Sequence, residues 1–116
     1  MITAVDTNVL IDVLAGDPQF GPASAAEMRR CMRQGSLIAC EVVWTEAAVS
    51  FDEAQDFRDA IRILGVTFSP MSEEAALAAS SRWRLYRRSG GARNRVVADF
   101  MIGAHALVCE IGRAHV

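Results

Sequence analysis

Three short apolar runs, at residues 2–5, 37–39 and 66–68, punctuate this chain, and segments of helical periodicity lie between them. Runs of three or four residues drawn from Ile, Leu, Val, Ala, Thr and Phe are too short to be helices and match buried strands. After Asp6, Thr7 and Asn8, the residues Val9, Leu10, Ile11, Val13 and Leu14 have the spacing of a helix turning back over the first strand. Residues 23–34 keep helical spacing at Ala25, Met28, Cys31 and Met32 and stop at Gly35. Residues 42–49 are long and Ala-containing enough to favour helix, with Glu46 in their middle, and residues 52–64 place Ala54, Phe57, Ala60, Ile61 and Leu64 on one face before Gly65. Ser69, Pro70 and Ser72 open a long helix with Glu73 and Glu74 in its first turn, the sign that the helix dipole favours, and with Ala76, Ala79, Trp83 and Tyr86 as its apolar stripe. Beyond a loop at 90–95, residues 96–108 are apolar almost all round, so that helix is expected to be buried. Strands alternating with helices in so short a chain predict an α/β fold, a three-layer α/β/α sandwich on a parallel central sheet.

At 116 residues, 52% of them hydrophobic, the chain has enough apolar material for one domain and little room for a second. No apolar run approaches the roughly 18 residues of a membrane span, and no basic leader precedes an apolar stretch, so the expectation is a soluble cytoplasmic protein without a membrane partner. Cys31, Cys40 and Cys109 are odd in number and lack C-x-x-C spacing, which fits reduced core thiols rather than a disulfide or zinc framework. The net charge of −2 argues neither for nor against nucleic acid. The placement of charge is more telling. All twelve basic residues are Arg, and Arg82, Arg84, Arg87, Arg88, Arg93 and Arg95 fall in one stretch broken by Gly90 and Gly91. The planar guanidinium suits phosphate oxygens, although a solvated helix face would leave the same pattern.

Asp6 ends the first apolar run, where ligands collect at the carboxyl edge of an open α/β sheet. Asp6 or Thr7 could equally be a helix cap. Asp99 is the lone acid in the block Val96, Val97, Ala98, Phe100, Met101, Ile102, and Glu46 repeats the pattern among Val43, Trp44, Ala47 and Ala48. An unpaired buried carboxylate costs several kcal/mol, so these positions call for a cation, an Arg such as Arg93 or Arg95, or hydrogen-bond donors. Plainer roles exist for each: a first-turn acid for Asp99, and a polar-face residue beside Glu41 for Glu46. Three carboxylates that an α/β topology can bring to one edge make a hard-cation site, Mg²⁺ or Mn²⁺, the economical expectation. Two such ions about 4 Å apart activate a water and stabilise the leaving oxygen of a phosphodiester. Neither His105 nor His115 has zinc-ligand spacing.

The segment Val5, Asp6, Thr7, Asn8 and Val9 resembles the opening motif of the PIN-domain nucleases. Residues 40–48 resemble the segment carrying that family's second acid, and Asp99, Ile102, Ala104 and Ala106 resemble the third. The resemblance extends over nearly all of residues 1–108, and the short length and early Asp6 motif resemble the VapC toxins of prokaryotic toxin–antitoxin pairs. It implies a Mg²⁺- or Mn²⁺-dependent endoribonuclease acting on RNA, with a cognate antitoxin and commonly a homodimer. By the same resemblance Asp6, Glu46 and Asp99 are the catalytic metal ligands, with Asn8 and Thr7 supporting them. Glu46 rather than Glu41 holds the matching place, after Val42, Val43 and Trp44. The stretch from Arg82 to Arg95, Arg87, Arg88, Arg93 and Arg95 in particular, is assigned to the RNA backbone.

One departure stands out. The family continues past the third acid through a strand bearing a Thr or Ser and a fourth Asp. Here residues 110–116 look instead like the in-frame translation of a sequencing adapter. The expected layout is therefore an incomplete domain at 1–109 and a non-native tail at 110–116, with a weakened sheet edge and doubtful activity. Other functions remain open on the residues alone. An aspartyl-phosphatase chemistry normally wants a second acid where Asn8 stands, and a nucleotide-binding module wants a glycine-rich loop that is missing after the first strand. In a purely structural partner the acids would be caps and surface groups.

Overall fold

The computed structural model describes residues 2–90, 97–109 and 112–114. Its elements run β1 (Ile2–Val5), α1 (Thr7–Leu14), α2 (Gly21–Gln34), β2 (Ser36–Ala39), α3 (Glu41–Ala48), α4 (Ala54–Leu64), β3 (Val66–Phe68), α5 (Glu73–Arg88), α6 (Val97–Val108) and β4 (Gly112–Ala114). The strands form one sheet in the order β3-β2-β1-β4, and every pairing among them is parallel. Thr3, Ala4 and Val5 are all buried although they alternate across the sheet, so both faces of β1 are covered, as a three-layer α/β fold requires.

Local chemistry accounts for most boundaries. Ser72 caps α5, its Oγ accepting from the Ala75 amide at 3.1 Å, and Gly65 ends α4 in the left-handed region at φ 73°. The second helix starts at Gly21, two residues before the 23–34 span read from the sequence, with Pro22 in its first turn; proline suits that place because its missing N–H would have no helical partner. α4 begins at Ala54, two residues later than expected.

The core joins Val5, Val9, Leu10, Leu37, Val43 and Ile61, all buried, with an aromatic cluster on one flank. The Trp44 ring meets Phe57 edge-on at 5.4 Å and Phe68 at 5.2 Å, which fastens α3 to α4 and β3. Thr3 Oγ1 is buried without a hydrogen-bond partner among the described residues.

Three expectations need correction. α6 is fully buried only at Ile102, Gly103, Ala104, His105 and Ala106; Val97, Ala98, Phe100, Met101 and Val108 are half-buried, and Asp99 and Leu107 are exposed. Cys109 is exposed because it follows the last helical turn, whereas Cys31 and Cys40 are buried free thiols. A strand does follow α6: the backbone of Gly112–Ala114 pairs with β1, Val5 opposite Ala114, so β1 is an inner strand and not a bare edge. No helix among the described residues is long and apolar enough to cross a membrane.

Candidate active site at the carboxyl edge of the sheet

Asp6 leaves β1 in an extended conformation, φ −77° and ψ 153°, and is the N-cap of α1. Its Oδ1 accepts from the Thr7 amide at 2.7 Å. Thr7, the first residue of the helix, is only 8% exposed. Its Oγ1 donates to Glu46 Oε1 at 2.8 Å, across the packing of α1 on α3. One residue therefore holds two acids that lie 40 positions apart in sequence, its amide engaging Asp6 and its hydroxyl engaging Glu46. Such charge-assisted bonds fix where a carboxylate points. Asp6 is half-buried, and Asn8, on the next position of α1, is exposed.

Glu46 and Asp99 are both exposed, so the desolvation cost that made them anomalous in the sequence is not incurred. Asp99 nevertheless lies on the inward stripe of α6. Three, four and seven residues on from it come Ile102, Gly103 and Ala106, all buried. α6 packs on α5 and α3, the latter bearing Glu46. Among the described residues no three of His, Cys, Asp and Glu converge closely enough to hold a metal ion. The expected three-acid cluster is thus reduced to the Asp6–Thr7–Glu46 link, with Asp99 on a neighbouring helix. In donor chemistry the three acids still fit a hard divalent cation, since all their ligating atoms are oxygens.

Arg82, Arg84, Arg87 and Arg88 are exposed on α5, and the Arg87 guanidinium lies 5.3 Å from the centre of the Trp83 ring. Arg93 and Arg95 fall outside the described residues.

A second polar group at the same edge is not evident from the sequence. Ser69, directly after β3, donates its amide to the Ala39 carbonyl at 2.9 Å, and its Oγ lies 3.2 Å from His105 Nε2. Both carboxylate oxygens of Glu41 receive the Met71 amide, at 3.0 and 3.2 Å. Burial pushes the His105 imidazole below its usual range, opposed by the charge of Glu41 and the contact with Ser69. The only sequence sign of this group is one polar side chain inside an apolar helix.

The sequence matches the family model for the PIN domain over residues 3–111. The chain belongs to the PIN-domain family. Solved structures share its fold at low identity. VapBC2 from Rickettsia felis, bound to a DNA fragment from their promoter, is 12% identical with a TM-score of 0.74, over 97% of this chain and 86% of that one. VapBC-1 from nontypeable Haemophilus influenzae is 19% identical with a TM-score of 0.71, over 97% and 84%. A toxin–antitoxin complex from Klebsiella pneumoniae is 17% identical with a TM-score of 0.67, over 96% and 82%. No curated protein matches in sequence. In this PIN domain the edge that carries Asp6, Glu41 and Ser69 is the carboxyl end of β1, β2 and β3, the usual ligand side of a parallel sheet.

Proposed function

We propose that this PIN domain is a divalent-metal-dependent endoribonuclease, the VapC-type toxin of a toxin–antitoxin pair, acting in the cytoplasm as a homodimer until a cognate antitoxin neutralises it. The observation that carries this is the Asp6–Thr7–Glu46 link at the carboxyl end of β1 in a PIN fold. The toxin–antitoxin complexes among the structural neighbours support the partner.

Asp6, Glu46 and Asp99 would hold Mg²⁺ or Mn²⁺, which when bound supplies activation of a water and neutralisation of charge at the phosphodiester. Thr7 aims both neighbouring carboxylates, and Asn8 supports them from the exposed side of the same turn. Arg87 and Arg88, exposed on α5, together with Arg93 and Arg95, take the RNA backbone through paired phosphate contacts, so binding weakens as salt rises.

The test is cleavage of RNA by the full chain with Mg²⁺ or Mn²⁺. Asp6→Asn should abolish product while leaving the circular dichroism unchanged. Undiminished metal-dependent cleavage by that variant overturns the assignment.

A further inference from the structure

α6 carries Asp99 on a helix beside α3, and its large apolar contacts lie on α5, where Phe100 meets the Tyr86 ring at 5.5 Å. Of its five buried residues, Ile102, Gly103, Ala104, His105 and Ala106, three are Gly or Ala and only Ile102 is a large aliphatic. Smooth, small-residue faces let helices approach closely but resist sliding and rolling weakly. A shift of one residue rotates a helical face by about 100° and moves it by about 1.5 Å, enough to carry an acid out of a metal's reach. The directional contact on this buried face is His105 Nε2 to Ser69 Oγ, at 3.2 Å.

Ser69 is itself well anchored. Its amide extends the β2–β3 pairing through Ala39, and two residues on, the Met71 amide is held by the Glu41 carboxylate at the start of α3. A continuous polar strap thus runs from the first residue of α3 through residues 69–71 to the middle of α6. Its two ends are the two helices that carry Glu46 and Asp99. His105 is 2% exposed and Ser69 is half-buried, so the bond is partly shielded from water.

We propose that His105 is a positioning residue, which through Ser69 and the Glu41-held loop sets the rotation and height of α6 and so the placement of Asp99 relative to Glu46. The inference rests on the proposed metal-dependent nuclease activity. It assigns His105 no contact with RNA or metal.

The experiment measures RNA cleavage and Mn²⁺ affinity of the full chain for the wild type, His105→Leu, His105→Gln and Ser69→Ala. Leu fills the volume without a polar atom, Gln returns a hydrogen-bonding group near the Nε2 position, and Ser69→Ala removes the hydroxyl that meets Nε2, with little effect on packing and with the Ser69 backbone left in place. Expected are a fall in kcat of at least tenfold with KM for RNA within twofold, and at least tenfold weaker Mn²⁺ binding, in both His105→Leu and Ser69→Ala. His105→Gln should recover to within about threefold of wild type. His105→Leu added to Asp99→Asn should weaken Mn²⁺ binding no further than Asp99→Asn alone. Wild-type kcat and Mn²⁺ affinity in a folded Ser69→Ala or His105→Leu protein overturn the strap. So does loss of thermal stability alone, with kcat and Mn²⁺ affinity intact below the transition. A wild-type chain that neither binds Mn²⁺ nor cleaves RNA overturns the nuclease assignment itself, and the strap with it.

Discussion

Thr3 and Thr7 invite the same substitution with opposite outcomes. Both are buried, at 1% and 8% exposure, and Val keeps the β-branched shape while replacing the hydroxyl by a methyl group. Thr3 Oγ1 has no partner among the described residues, so its desolvation is uncompensated. Relieving an unsatisfied hydroxyl recovers about 1–3 kcal/mol, less whatever strain the methyl group introduces, and Thr3→Val should stabilise by about 1 kcal/mol. Thr7 Oγ1 donates to Glu46 at 2.8 Å. A bond to a charged acceptor contributes about 1.5–3 kcal/mol, but exposed Glu46 regains water when the donor goes, so Thr7→Val should destabilise by about 1 kcal/mol. Thr and Val differ little in helix propensity, which leaves the hydrogen bond as the main difference at Thr7. Urea unfolding followed by circular dichroism resolves the gap of about 2 kcal/mol between the variants, provided that the slopes match. Shifts of the same sign in the two variants would refute the hydrogen-bond assignments at β1 and α1.

Gly65→Ala should destabilise by about 1–2 kcal/mol, since φ is 73° and the new Cβ would meet the flexible tip of Met32; thermal unfolding checks it, and an unchanged Tm contradicts it. His105 is held below its usual pKa in the folded protein, so the unfolded chain takes up this proton first. Stability should therefore fall as pH drops through about 6.5 and stop falling, for this group, below the folded pKa. The slope should not exceed about 1.36 kcal/mol per pH unit, and His105→Gln should flatten the profile between pH 5 and 7; an identical profile in that variant would show that His105 is not its source.

Most of the fold was legible because it rests on local periodicity. The runs at residues 2–5 and 66–68 became β1 and β3 with the same bounds, and the Ser72 cap and the Gly65 stop mark helix ends in sequence and structure alike. The start of the second helix was read two residues late, at 23, because glycine and proline also mark turns, whereas the structure uses proline's compatibility with a first helical turn. At the site, Asp6 was conspicuous for its place after a strand, and it is both a helix cap and a candidate ligand. The burial inferred for Glu46 and Asp99 failed because apolar neighbours in sequence do not fix the face of the helix on which one side chain falls: each is exposed although Ala47 beside Glu46 is buried and Ala98 and Phe100 beside Asp99 are half-buried. The Thr7–Glu46 and Ser69–His105 bonds span 39 and 36 residues, and a periodic pattern carries no information about such pairings. The strand at Gly112–Ala114 was not anticipated because residues 110–116 read in sequence as an adapter-like tail, which left them out of the fold.

The claim that Asp6 and Glu46 form the core of a metal site is tested most directly by Mn²⁺ titration of the full chain, read by electron paramagnetic resonance of the free ion. Wild type should bind Mn²⁺, with affinity at least tenfold weaker in Asp6→Asn and in Glu46→Gln. Absence of binding to wild type, or equal binding by all three proteins, would contradict it.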